Sequence, residues 1–444
     1  MRSNHVARAA LAALIAILFA CVERDRAGDE AISLAEADSS AEARVYWNNE
    51  PNLSLEDLEA GRHDSTWLKA ASADTARVRL APLDTLATEP MPDVTRTPPD
   101  TSSARDTTPR VVVSSPFPET YEDLDRMADA GPDSTPVVHL PISGDAQGPS
   151  VLYVQILLDR SPFSPGILDG KWGKNTRKAV YWLQRAEGLE ATGEVDSLTF
   201  ARLVEISRAS SRGEGDFIRT VRLTDEDVAG PFVHIPEDVH AQADLECMCY
   251  ESLLEKVAEA HHAAPELLAR LNPGMVLDSL AAGDSLRVPS VEEEPPARDV
   301  ARIVISGEGS YLHALDREGR LVYHFPTTLG SRYQPSPTGD YEIVSIAFDP
   351  WFHWQPALFD EVPDSVPSER VPPGPNSPVG VVWIQLSKEN YGIHGTSAPA
   401  TIGYATSHGC VRLTNWDARF LAERVRAGIP VAFRDVGPEP VARR

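Results

Sequence analysis

Near its C-terminus the chain places a cysteine and two histidines among glycines. His394 is followed by Gly395, and the later run Ser407-His408-Gly409-Cys410 ends on the thiol. A thiol is a good nucleophile only as thiolate, so it needs a neighbouring base or a positive environment. His394 is the candidate base, and the amides of Gly409 and Cys410 are candidate donors to a developing oxyanion. These residues therefore predict acyl transfer through a cysteine nucleophile.

Three other interpretations use the same side chains. Cys410 could be a small buried apolar residue beside hydrogen-bonded His394 and His408. The same three residues could bind zinc, but no fourth ligand follows at a usual spacing, so no metal is expected. Ser407 could be the nucleophile instead, although the adjacent thiol is intrinsically the better one.

The pattern resembles the L,D-transpeptidase family, also called YkuD-like, whose signature is a histidine followed later by Ser/Thr-His-Gly-Cys. Twelve residues separate His394 from Ser407. The likeness continues through three further segments, namely Pro337-Thr338-Gly339-Asp340-Tyr341, Pro372-Pro373-Gly374-Pro375-Asn376-Ser377-Pro378-Val379-Gly380 and Tyr391-Gly392-Ile393.

The resemblance implies a role for each residue of the site. Cys410 is the nucleophile, and His394 is the base, with its ring oriented by the carbonyl of Gly395. The amides of His408, Gly409 and Cys410 form the oxyanion hole. Arg412 supports the loop or meets a substrate carboxylate. We also expect substrate contacts from Tyr391 and Trp354, although filling the core is the plainer interpretation of the tryptophan.

The implied reaction acts on the stem peptides of peptidoglycan through a thioester acyl-enzyme. An amine acceptor gives a 3→3 cross-link, an envelope lipoprotein acceptor becomes attached to the wall, and water makes the enzyme an L,D-carboxypeptidase. No cofactor is required. The alternative from a different class is a non-catalytic peptidoglycan-binding lipoprotein that links membrane to wall.

The N-terminus is typical of an exported protein. Arg2 and Arg8 precede an uncharged run of fourteen residues, from Ala9 to Val22, which is too short to span a bilayer. We therefore expect a signal peptide over residues 1–20. The run Leu18-Phe19-Ala20-Cys21 resembles a bacterial lipobox, which implies a lipid anchor on Cys21 and, with Val22 next, a place at the periplasmic face of the outer membrane. An ordinary signal peptide with an incidental cysteine is the alternative.

Charge and composition divide the rest of the chain. The net charge is −25, and no segment concentrates the Lys and Arg that phosphate binding requires, so nucleic acid is excluded as a partner. Residues 21–145 are rich in Pro, Thr, Ser and Asp, and we expect a largely disordered acidic tether there.

Residues 146–210 predict three helices separated by glycine turns, at Val151 to Arg160, Lys174 to Glu187 and Ser197 to Ile206. This segment resembles the three-helix peptidoglycan-binding domain, and Trp172 and Tyr181 are its expected ligand contacts. A plain helical spacer on the same core pattern is the alternative.

Residues 216–290 resemble a LysM glycan-binding module, with two helices followed by a strand. Its first strand is expected near Leu245 to Tyr250, where the segment is short and carries Cys247 and Cys249. These cysteines could form a disulfide through a small strained ring or serve a redox role, and spacing alone does not decide.

Residues 299–436 predict a β-rich catalytic domain with short strands at Arg302 to Ile305, Leu321 to Phe325, Tyr341 to Ser345, Val381 to Leu386 and Pro430 to Arg434. A late helix is expected over Ala418 to Ala427, with Gly428 as its stop. The predicted fold class is multidomain α+β, with this mixed sheet preceded by the three-helix domain and the LysM-like segment.

Overall fold

The structure is a computed structural model that describes residues 110–113, 137–210, 217–291, 295, 297–331, 334–356, 362–363 and 365–436. The expected signal peptide, Cys21 and most of the expected tether lie outside these ranges. Within them, no helix combines the length and the apolar character needed to cross a lipid bilayer.

The first folded unit contains the three expected helices. They are α1 Pro149–Asp159, α2 Lys174–Ala186 and α3 Ser197–Ser210. Two short parallel strands precede them, β1 Arg110–Val113 and β2 Val137–Leu140. Leu140 is buried in the same core as the helices, so ordered structure begins before residue 146, where we expected it to start.

Two buried glutamines hold the glycine turns that precede the second and third helices. Gln155 accepts a hydrogen bond of 2.7 Å from the amide of Gly170, and Gln184 accepts one of 2.8 Å from Gly193. Both glycines have φ of +70°, a conformation that favours glycine. The two turns therefore repeat one local solution, and the first of them fixes where α2 begins.

The middle unit is an antiparallel pair of strands with helices between them. In chain order it contains β3 Ile218–Arg222, α4 Val239–Ala243, α5 Leu253–Ala260, α6 Pro265–Leu271 and β4 Ser285–Pro289. The expected first strand at Leu245 to Tyr250 was wrong, because β4 pairs instead with β3. Residues 223–252, which include α4, therefore lie between β3 and α5, and this segment is called the insertion below.

The catalytic portion is built on an eight-stranded mixed sheet. Its strands in chain order are β5 Arg302–Ser306, β6 Tyr311–Leu315, β7 Leu321–Pro326, β8 Gly339–Phe348, β11 Val382–Leu386, β12 Gly392–His394, β13 Val411–Arg412 and β14 Pro430–Arg434, and a separate pair is formed by β9 Phe352–Trp354 and β10 Glu369–Val371. The spatial order is β13-β12-β11-β8-β14-β5-β6-β7. The pairs β12–β13 and β5–β14 are parallel, and the others are antiparallel.

The late helix, α7 Asn415–Ala422, is shorter than expected. It begins at the N-cap Thr414, whose hydroxyl accepts a hydrogen bond of 3.2 Å from the amide of Asp417. It ends early because the chain must return to the sheet: the amide of Gly428 donates to Ile343 of β8 at 2.8 Å.

The open edge of β7 is covered by the first unit. The amide of Ser164 donates to the carbonyl of His324 at 3.0 Å, and His324 donates back to Pro162 at 2.8 Å. A protected edge cannot pair with another chain. These contacts also join the helical unit to the sheet.

Candidate active site

Two adjacent parallel strands bring the His394 and Cys410 segments side by side. In β12 and β13, Ile393 is paired with Val411 and His394 with Arg412, and Cys410 immediately precedes β13. The amide of Leu413 donates to the carbonyl of His394 at 2.9 Å. The fold therefore joins two segments that are sixteen residues apart in sequence.

The imidazole of His394 is buried and held in one tautomer. Its Nδ1 lies 2.7 Å from the carbonyl oxygen of Gly395, which can only accept, so Nδ1 carries the proton. Nε2 is then the basic nitrogen. The ring stacks on the indole of Trp383, with centroids 5.4 Å apart and an interplanar angle of 19°. Orientation thus comes from one hydrogen bond and one aromatic face.

Cys410 is 1% exposed and is the only free cysteine among the described residues. Its Sγ donates a long hydrogen bond of 3.8 Å to the carbonyl of Asn390, a residue with φ of +63° at the turn before β12. The thiol belongs to an apolar cluster that also contains Met248, Trp354 and Trp383. The thiol is therefore surrounded by apolar side chains, with a backbone carbonyl as its hydrogen-bond acceptor.

Ser407 shapes the turn that presents the thiol. Its hydroxyl donates to the carbonyl of Cys410 at 2.6 Å and accepts from the amide of Gly409 at 3.0 Å. Ser336 donates to the carbonyl of Gly409 at 2.8 Å. Of the three expected oxyanion donors, the Gly409 amide is therefore engaged within the turn, whereas His408 is half-buried beside it.

Tyr391 lies against the glycine of the motif. A Cβ atom at Gly409 would approach Cε1 of Tyr391 to 2.6 Å, and Gly409 has φ of +121°. The Nζ of Lys388 lies 5.0 Å from the centre of the tyrosine ring. Tyr391 thus lies in the site, and its ring leaves no room for a side chain at position 409.

Arg412 is 3% exposed. Its amide and carbonyl pair with the carbonyl and amide of Thr328 at 2.9 and 3.1 Å. Backbone pairing and burial favour loop support, the first of its two expected roles.

Three aromatic residues expected to contact substrate lie in cores. Trp354 is fully buried and packs edge-on against His240, with centroids 5.4 Å apart. Trp172 and Tyr181 are 6% and 5% exposed within the core of the helical unit. This burial favours a core-filling role for Trp172 and Tyr181, and their contact with a ligand stays a prediction.

Asn415 is a site residue that the sequence motifs did not indicate. Its Oδ1 accepts from the amide of Val381 at 3.3 Å, and its Nδ2 donates to Pro375 at 3.1 Å and to Glu259 at 3.1 Å. Gly395 and Gly380 both pack so closely on its Oδ1 that a side chain at either would collide. Asn415 therefore joins the histidine loop, the Pro-rich segment and the middle unit.

Glu259 carries the contact from the middle unit. Burial raises the pKa of its carboxyl to about 7, against hydrogen bonds from Asn415 and Tyr250 that lower it. The carboxyl of Glu259, which contacts Asn415 of α7, therefore changes its protonation state near neutral pH.

No group of three or more His, Cys, Asp or Glu side chains in the described part of the chain is arranged to hold a metal ion.

Comparison with known proteins identifies this architecture. Residues 301–432 match the L,D-transpeptidase catalytic domain (YkuD), and residues 147–203 match a domain described as "Putative peptidoglycan binding domain". The chain is 31% identical over 180 residues to the Bacillus licheniformis protein named "Putative L,D-transpeptidase YkuD", covering 40% of this chain and 92% of that protein. The chain belongs to the YkuD family of L,D-transpeptidases.

Two further matches cover different shares of the chain. The Escherichia coli protein named "Probable L,D-transpeptidase YbiS" is 48% identical over 71 residues, which are 16% of this chain and 22% of that protein. An L,D-transpeptidase structure from Xylanimonas cellulosilytica aligns with a TM-score of 0.28 and 17% identity, over 66% of this chain and 97% of that chain.

The predicted fold class is confirmed for the mixed sheet of this L,D-transpeptidase and for its peptidoglycan-binding helices. The two matched domains together imply that its substrate is peptidoglycan. Apart from its insertion, the middle unit has the order strand, helix, helix, strand. Its LysM-like character stays a prediction.

Proposed function

We propose that the chain uses Cys410 as its nucleophile and forms 3→3 cross-links in peptidoglycan. The observation that carries this proposal is the hydrogen bond of 2.7 Å from His394 Nδ1 to Gly395. It leaves Nε2 as the basic nitrogen on the strand adjacent to the cysteine turn.

In the first half-reaction, His394 Nε2 takes the proton of Cys410. The thiolate attacks the carbonyl carbon of the third residue of a donor stem, and a carbon–sulfur bond forms. The bond to the terminal D-amino acid breaks, and its nitrogen leaves with the proton from His394. A thioester and a free D-amino acid result.

In the second half-reaction, the amine of a neighbouring stem gives a proton to His394 and attacks the thioester. The new amide forms as the sulfur leaves, and the thiol regains its proton. Water in place of the amine would give an L,D-carboxypeptidase. The apolar cluster around Cys410 favours the amine over water as the acceptor, because a buried site excludes water from the reactive thioester.

Attachment of an envelope lipoprotein is a second acceptor chemistry. It is favoured by the Pro372–Gly380 segment, which resembles the subgroup in which that reaction occurs. With a lipid anchor on Cys21, the catalytic domain would work at the periplasmic face of the outer membrane. Metabolic labelling with a fatty acid, lost in Cys21→Ser, tests the anchor separately.

The test is incubation of the mature enzyme with purified wall material, followed by digestion and mass spectrometry. We expect dimers joined through two diaminopimelate residues, absent with Cys410→Ala and His394→Ala. A carbapenem should add its mass to Cys410 in the wild-type enzyme and in Ser407→Ala. Cross-linking that persists in Cys410→Ala would remove the proposed nucleophile, and wall binding without any new product would favour the mechanical anchor.

A further inference from the structure

The insertion of the middle unit, residues 223–252, packs against the catalytic domain. In α4, His240 Nδ1 is 2.8 Å from Glu369 Oε1 of β10. The same imidazole packs edge-on against Trp354 of β9. Val239 is 1% exposed and belongs to the apolar cluster that contains Cys410. The insertion is therefore packed on the catalytic domain.

The tip of the insertion is a turn closed by a disulfide between Cys247 and Cys249. The residue between them makes two backbone hydrogen bonds to the Pro-rich segment: the amide of Met248 donates to Pro373 at 3.0 Å, and its carbonyl accepts from Asn376 at 2.9 Å. The side chain of Asn376 also donates to the carbonyl of Cys249 at 3.0 Å. Three hydrogen bonds thus join the disulfide turn to residues 373–376.

The Pro-rich segment is shaped for this contact. Gly374 has φ of +151°, and a Cβ atom there would collide with the carbonyl of Met248. The next residues turn back toward the site, where Pro375 accepts from Asn415 and Gly380 lies against Gly395. A shift at the turn would therefore reach the loop that orients the catalytic histidine.

The side chain of Met248 completes the arrangement. It is fully buried, in the same apolar cluster as Cys410, Val379 and Trp383. A flexible thioether fills irregular gaps between elements that belong to different modules. The disulfide joins the two residues on either side of Met248 and so restrains the turn. The turn therefore loses less conformational entropy when it packs on residues 373–376.

We propose that Met248, held by the Cys247–Cys249 disulfide, is a positioning residue for the donor-binding wall over Cys410. This rests on the proposed function, because the wall matters for the reaction only if Cys410 is the nucleophile. The turn anchors residues 373–376, and in this proposal these residues are the donor-binding wall.

The same turn makes the wall sensitive to reductants. A dithiol transfers two electrons and two protons to the disulfide, giving two thiols on the protein while the dithiol becomes its own cyclic disulfide. The protein then loses the covalent restraint on Met248. The wall should open more often, exposing Cys410 and weakening donor binding.

The experiment uses the full chain after removal of the signal peptide, with four proteins. They are the wild type, Met248→Ala, the double variant Cys247→Ser/Cys249→Ser, and Met275→Ala as a matched control. Met275 lies in the same module but is 38% exposed. Each protein is measured before and after treatment with dithiothreitol and desalting, and peptide mapping gives the rate of Cys410 alkylation by iodoacetamide. Donor KM and kcat are measured with a tetrapeptide stem and an amine acceptor.

We expect the double variant and Met248→Ala to alkylate Cys410 about tenfold faster and to raise the donor KM about tenfold. The double variant loses the covalent restraint on the turn, and Met248→Ala loses the buried side chain that packs in the cluster with Cys410. Their kcat should stay within about twofold of wild type, because wall contacts act on binding. Dithiothreitol should give the wild type the same changes and leave the double variant unchanged. Met275→Ala should behave as wild type.

Unchanged alkylation and unchanged KM in the reduced wild type would overturn the proposal, and this arm needs no substitution that could impair folding. A fall in kcat at constant KM would overturn it as well, since it would indicate a general loss of structure. The alkylation rate does not depend on turnover. If the nucleophile were wrong, Cys410→Ala would keep its activity whatever the alkylation rate, so the two failures are distinguishable.

Discussion

Asn175 of the peptidoglycan-binding domain donates a hydrogen bond of 2.7 Å to the carbonyl of Ile402, which lies midway in the chain between His394 and Cys410. Asn175 is 6% exposed, at the start of α2. On the other side, Thr328 of the catalytic domain accepts from the amide of Gly403 at 2.9 Å. The active-site loop is thus held from two domains at once.

Removal of this contact should slow catalysis without weakening wall binding. We expect Asn175→Ala and Asn175→Asp to lower kcat about five- to tenfold, since each deletes one buried hydrogen bond to the loop. The aspartate keeps the shape but loses the donor. Steady-state transpeptidation and a sedimentation assay with purified wall material measure the two properties separately.

A matched control is Asn272→Ala. Asn272 is also buried, at 8% exposure, but its side chain bonds to Leu268 and Arg287 inside the middle unit. It should lower thermal stability and leave kcat near wild type. Equal losses of kcat in both variants would refute a specific role for Asn175.

Ser407 should act on the turn rather than as the nucleophile. Its hydroxyl bonds to both Gly409 and Cys410, so Ser407→Ala should lower kcat about tenfold, and Ser407→Thr should restore most of it. Adduct formation on Cys410 measured by mass spectrometry should slow in the same ratio. Complete loss of the adduct in Ser407→Ala, with activity kept in Cys410→Ala, would reverse the two assignments.

The glycine at position 409 is required by backbone conformation and by Tyr391. An alanine there would hold φ of +121° and meet the tyrosine ring, so we expect Gly409→Ala to lower kcat by about tenfold or more. Gly428→Ala is the control, because Gly428 has φ of +82° in open space away from the site. Both should lose some stability, but only Gly409→Ala should lose activity.

Local patterns predicted the elements that carry the site. Helical spacing placed α1, α2 and α3 within a few residues of their bounds, and the short β-rich runs placed β5, β7, β8, β11 and β14. The contact of His394 with Gly395 was expected from the family resemblance, since it joins neighbours in sequence. Periodicity and short motifs report on such local order.

Contacts between modules were not predictable in the same way. Asn175 and Ile402 are 227 residues apart, and Met248 and Pro373, which also share a hydrogen bond, are 125 residues apart. The burial of Trp172 was not predictable, because a buried and an exposed tryptophan look the same in sequence. The strand at Ile218–Arg222 was missed because a long insertion separates it from the helices that it accompanies.

The last relationship lies where all three units meet. Asp417 of α7 accepts a hydrogen bond of 3.0 Å from Ser164 of the helical domain. Beside it, His262 of the middle unit lies 2.9 Å from Asp159 and stacks on Trp416. Burial has the largest single effect on the pKa of His262 and lowers it, but the charge and the hydrogen bond of Asp159, together with the charges of Asp417 and Glu259, raise the pKa overall. His262 is thus part of this junction.

Stability should fall as pH rises toward neutrality because of Asp417. Burial raises the pKa of its carboxyl to about 7, from an ordinary 3.8, despite hydrogen bonds from Thr414 and Ser164 that favour the charged form. The folded chain therefore keeps a proton that the unfolded chain releases, so the contribution is full below about pH 4 and is lost through about pH 7. We expect Asp417→Asn to flatten the decline of Tm between pH 5 and 8, a change on the order of a few degrees. Calorimetry across that range measures it, with the exposed Asp340→Asn as control. A Tm profile for Asp417→Asn parallel to that of the wild type would show that the carboxyl is charged in the folded protein.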